Sequence, residues 1–136
     1  MSLEVEFDRA REREDQRGFA GLPERDRVLI AVWCLEAEVN NGGFHQFYFN
    51  SAGDYAQVLS GMLYAIGAHR MARIMERANR LFGEQGPPLN RDKRQEALDI
   101  LTPSGNAFEQ LDEEFIAYPD NLAELLEKWL RAQPVA

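Results

Sequence analysis

Glu38-Val39-Asn40-Asn41-Gly42-Gly43-Phe44-His45-Gln46-Phe47-Tyr48-Phe49-Asn50-Ser51-Ala52-Gly53-Asp54 is the stretch from which the rest of the chain is read. Phe44, Phe47, Tyr48 and Phe49 crowd four aromatic rings into six positions, and rings at that density bury a large apolar area. The Asn and Gly run over 40–43 enters left-handed backbone readily, so it predicts the end of one helix and the start of the next. A short helix over 44–50 would set Phe44, Phe47 and Tyr48 on one face, and His45 and Phe49, also four apart, on another. The stretch is a corner locking two elements together, or a site, or both.

Upstream, Val28-Leu29-Ile30-Ala31-Val32-Trp33-Cys34-Leu35 is apolar all round, the mark of a central buried helix over 24–39. Pro23 suits its first turn, with Glu24 and Asp26 favouring the positive end of the dipole. Residues 1–20 are charge-dense with few apolar positions and read as an arm, frayed or helical. Downstream, Asp54 is the expected cap of a helix over 55–67. Residues 69–82 are amphipathic, with Met71, Ile74, Met75, Ala78, Leu81 and Phe82 inward and Arg70, Arg73, Arg77 and Arg80 outward. After a Gly/Pro loop over 83–90, helices are expected over 91–101 (Ala97, Leu98 and Leu101 inward) and 106–118. Pro119 stops the latter, and Asp120 is the expected cap of a last helix. With no β-alternation and no repeat, the expectation is all-α: a compact single-domain bundle of about six or seven helices spanning 1–136.

The net charge of −8 is unevenly placed. From Glu96 to Glu127 there are nine acids and no Lys or Arg, while the rest holds 14 acids against 15 bases. That third repels nucleic-acid phosphate and attracts basic partners. Four arginines within so acidic a chain are poor material for direct DNA binding, and they suit a solvated face paired with the acidic third. The acids Glu109, Asp112, Glu113 and Glu114, then Asp120, Glu124 and Glu127, recur at about one helical turn, ~5.4 Å. An array of that kind could imitate a phosphate backbone and bind a basic protein. No apolar run approaches the ~20 residues of a membrane span. The first residues carry neither the charge nor the apolar core of a signal peptide, so a cytoplasmic location is expected.

Glu38, Asn41 and His45 raise a second possibility, in which the carboxylate orients the imidazole as general base of a small-molecule-binding or hydrolytic site. The bland alternative has Glu38, Asn41, Gln46 and Asn50 satisfying unpaired groups at helix ends. His45 and His69 lack metal-ligand spacing, and Cys34 alone forms neither a disulfide nor a zinc site, so no metal or cofactor is expected. Cys34 sits within the apolar helix as a structural thiol.

The segment from Glu38 to Asp54, preceded by a helix containing Trp33, resembles the signature of a widespread bacterial domain of unknown function named after an acidic DNA-mimic protein. The resemblance extends over 25–118 and includes Leu111-Asp112-Glu113-Glu114-Phe115. Its specific core is Asn41, Gly42, Gly43, Phe44, Gln46, Phe47, Asn50, Ser51 and Gly53. It implies an all-helical domain that can dimerise and has no known catalytic residues. For the best-known member it implies binding to the DNA-binding surface of a transcription factor. The resulting expectation is a non-enzymatic interaction protein, a homodimer whose acidic third contacts a basic DNA-binding protein.

Overall fold

The computed structural model describes residues 1–134. Among these the fold is all-α, with no strand: α1 (Leu3–Arg17), α2 (Glu24–Phe49), α3 (Ala56–Ala65), α4 (His69–Arg80), α5 (Arg91–Leu101), α6 (Glu109–Ile116) and α7 (Leu122–Arg131). Two 3-10 turns, Phe19–Gly21 and Ser51–Tyr55, join α1 to α2 and α2 to α3.

The all-apolar segment becomes the axis of the bundle. Val28 to Val32 and Leu35 are buried, and α2 touches α1, α3, α5, α6 and α7. Trp33 and Cys34 are only partly covered, and the Phe7 ring of α1 stacks on Trp33 with centroids 4.7 Å apart. The α1 stretch, read as an arm, is a full helix fastened to α2. Ala10 is buried, and the Arg13 guanidinium donates Nε and Nη2 to the two carboxylate oxygens of Asp26, at 2.6 and 2.9 Å. Asp26, expected only to favour the helix dipole, is fully buried.

Helix α2 is two helical segments joined through a kink at Gly42 (φ −154°, ψ 20°) and Gly43 (φ 73°, ψ −176°), where a helix end and restart were expected. Past the break, Phe44, Phe47 and Tyr48 are buried, and Phe44 packs on Phe108 and Phe115 from the C-terminal half. The Tyr48 hydroxyl donates to Asn79 at 2.6 Å, and Asn79 donates to the Ala56 carbonyl, so α2, α3 and α4 meet at one polar point.

Two caps differ from expectation. Asp54 does not cap α3; its carboxylate pairs with Arg94 at 3.0 Å. Asp120 does not cap α7, because Asn121 does so by accepting from the Glu124 N–H. Asp120 reaches back instead to the start of α4 and accepts from the N–H groups of Arg70 and Met71, at 2.8 and 2.9 Å. Those donors have no acceptor within their own helix, and the α4 N-cap position is Ala68, whose side chain offers none. A residue fifty positions away therefore caps α4.

Candidate functional site

The α2 break is held by polar side chains that cross it. Glu38 Oε2 accepts from Gln46 Nε2 at 2.8 Å and from Asn50 Nδ2 at 3.1 Å. Asn41 Nδ2 donates to Gln46 Oε1 at 3.2 Å. From α6, Asp112 Oδ1 accepts the N–H of Phe44 at 2.8 Å, and its carboxylate occupies the space that a Cβ on Gly43 would need. With φ at +73° as well, position 43 is one where only glycine is unstrained. His45 stacks on Phe49 with centroids 6.3 Å apart and planes 15° apart. The carboxylate of Glu38 is thus engaged by two amides, and the geometry in which it would orient His45 as a base is not formed.

Arg94 closes the other end of the same segment. It is fully buried, and its five guanidinium N–H groups face five acceptors. Nε donates to the Tyr48 carbonyl at 2.6 Å, and Nη2 to the Asn50 carbonyl at 3.0 Å. Nη1 reaches the Pro88 and Leu89 carbonyls, and Asp54 supplies the charge partner. A Cβ on Gly53 would lie 2.6 Å from Arg94 Nε, which accounts for that glycine. Sequence reasoning placed Ala97, Leu98 and Leu101 inward on α5 and missed Arg94. The signal was present, since 94, 98 and 101 fall on one i, i+4, i+7 row.

The seven acids expected to form one surface are divided. Asp112 holds Phe44, Asp120 caps α4, and Glu114 accepts a two-pronged bond from Arg77 at 2.7 and 2.8 Å. Glu127 pairs with Arg131 one turn on, and Glu124 accepts from Asn121 beside it. Glu109 and Glu113 are exposed on α6 and enter no ion pair among the described residues, as do Glu96 and Asp99 on α5. Glu109 and Glu113 border a surface hollow shared with Asn106, Ala107 and Gln110, with no basic residue in its lining.

Of the arginine stripe, Arg77 is paired within the chain, as a solvated face turned to the acidic third predicts. The guanidinium holds the Glu114 carboxyl below its usual range. Burial pushes the Cys34 thiol up, away from the thiolate a nucleophile needs. Among the described residues, no group of three or more His, Cys, Asp or Glu converges on a point that could hold a metal ion. No helix there is long and apolar enough to cross a membrane.

Compared with known proteins, no curated protein and no solved structure gives a match to the chain. The family described as DMP19-like protein matches residues 20–133, which takes in the α2 break, Arg94 and the whole acidic third. Gly43 seated against Asp112, Gly53 against Arg94, and Phe44, Phe47 and Tyr48 in the core give the signature a structural meaning, and the chain belongs to the DMP19-like family.

Proposed function

We propose that this chain is a non-enzymatic interaction protein that binds a basic DNA-binding protein through acids on α5 and α6, as a mimic of DNA. The observation that carries this reading is the segment from Glu96 to Glu113. It contains no Lys or Arg, and four of its carboxylates, Glu96, Asp99, Glu109 and Glu113, are exposed and enter no ion pair among the described residues. Unneutralised carboxylates attract a cationic surface and repel phosphate. Membership of a family named after a DNA mimic supports the same reading. Of the seven acids read from the sequence this surface keeps Glu109 and Glu113 and adds Glu96 and Asp99, because Asp112, Glu114 and Asp120 serve the fold and Glu124 and Glu127 bond to Asn121 and Arg131.

The test is capture from the cytosol of the source cells by the tagged chain, followed by elution with duplex DNA. The reading expects captured proteins to be DNA-binding and to be released by DNA. Capture that is indifferent to excess DNA would sink it.

A further inference from the structure

The seam between α4 and α6 carries the opposite charge. Two hollows lie along it, one on each side of the Arg77–Glu114 bridge. The larger, about 430 Å³, has a floor of Ile74, Ala117 and Pro119 under a rim of Arg70, Arg73 and Arg77. The smaller, about 340 Å³, lies among Arg77, Arg80, Leu81 and, across the seam, Gln110 and Leu111. Of the acids nearby, Glu109 and Glu113 stand unpaired beyond Gln110, and three others are engaged within the chain. Glu114 is bound by Arg77, Asp120 by the backbone N–H groups at the start of α4, and Glu76 by the Tyr64 hydroxyl. Arg73 and Arg80 are exposed and enter no ion pair among the described residues. They stand seven residues apart on one helix, about 10 Å along its axis.

We infer that this seam is a docking groove for an acidic segment of another protein. The segment sets one apolar side chain in each hollow and its carboxylates against Arg73 and Arg80. Charge complementarity selects an anionic occupant, and the apolar floor selects one with apolar side chains. A nucleic-acid backbone lacks those side chains and is repelled by the net charge of −8. With Arg73 on the first hollow and Arg80 on the second, about two helical turns apart, the groove suits a peptide helix with anchors at i and i+7. The smaller hollow shares Ala107 and Gln110 with the hollow bordered by Glu109 and Glu113, so the groove and the acidic surface adjoin along α6.

The test is selection of short random peptides displayed against the immobilised full chain. Expected winners carry Asp or Glu around two apolar residues about two turns apart, and bind more weakly as salt is raised. They should bind Arg73→Glu/Arg80→Glu at least about tenfold more weakly. Both arginines are exposed, so that variant keeps its helical circular dichroism. Ala117→Tyr, which fills the larger hollow without altering charge, should also lose binding. Winners without acidic bias, or equal binding by the arginine variant, would overturn the inference. So would competition by short duplex DNA for the selected peptides. A change in the sedimentation of the chain itself on arginine reversal, with peptide binding intact, would assign the seam to contact between copies and also overturn it.

Discussion

Asp112 sits half-buried with Oδ1 on the Phe44 N–H, and burial pushes its carboxyl above the usual range while that N–H and nearby His45 pull the other way. The folded value lies above the unfolded value of about 3.9, so the folded chain binds this proton more tightly. The contribution of this group to stability therefore falls as pH rises through the folded value. Asp112→Asn keeps an oxygen for Phe44 and removes the titration. It is expected to be at least as stable as the parent at neutral pH, with the advantage shrinking as pH falls toward about 4. Asp112→Ala leaves the Phe44 N–H without its acceptor and should cost about 1–3 kcal/mol. Urea unfolding of the three proteins across that pH range decides the matter, and an Asn variant as weak as the Ala variant would mean that the charge itself is required. At this scale the sequence exposed the glycines but not their reasons. The Asn-Asn-Gly-Gly run announced a break, while Asp112, sixty-eight residues from Phe44, gave no local sign of its role.

Between elements, fixed polar contacts decide how the helices meet. Arg94 joins α5 to the end of α2 and to the 3-10 turn that follows, and its five acceptors exceed the three donors of a lysine. Arg94→Lys should lose about 2 kcal/mol or more, because buried carbonyls at the end of α2 are left unpaired. Equilibrium unfolding measures it, and a lysine variant as stable as the parent would contradict the assigned role. At the other end, Arg13→Ala removes both hydrogen bonds to the buried carboxylate of Asp26 and leaves it only the longer contact with Arg25, at 3.9 Å. The expected loss is about 3 kcal/mol, with early hydrogen exchange along α1. Exchange spread evenly over the chain would argue against α1 being fastened there. Helix existence was legible here because amphipathic periodicity is local: α4, α6 and α7 fall where Met71, Phe115 and Leu126 recur at helical spacing. The caps were not. Asp54 and Asp120 each stand where a local cap is plausible, yet Arg94 and the bare start of α4 compete for them across the fold.

For the whole molecule, charge is sorted by use. Acids that meet a cation or an N–H within the chain hold the bundle together, as Asp26, Asp112, Glu114 and Asp120 do, whereas Glu96, Asp99, Glu109 and Glu113 on α5 and α6 are exposed and enter no ion pair among the described residues. The sequence showed where acids concentrate but not which were already engaged, since that depends on helices that meet only in the folded chain. Self-association, implied by the family resemblance, should appear in sedimentation as twice the chain mass; a single-chain mass at working concentrations would remove the dimer from the account. The central claim separates a structural signature from a functional surface. Its most direct test compares capture of basic DNA-binding proteins by two variants, His45→Ala in the signature and Glu96→Lys/Asp99→Lys/Glu109→Lys/Glu113→Lys on the acidic face. The account predicts that the first retains the captured proteins and their release by duplex DNA, and that the second loses them; loss with His45→Ala and retention with the four reversals would contradict it.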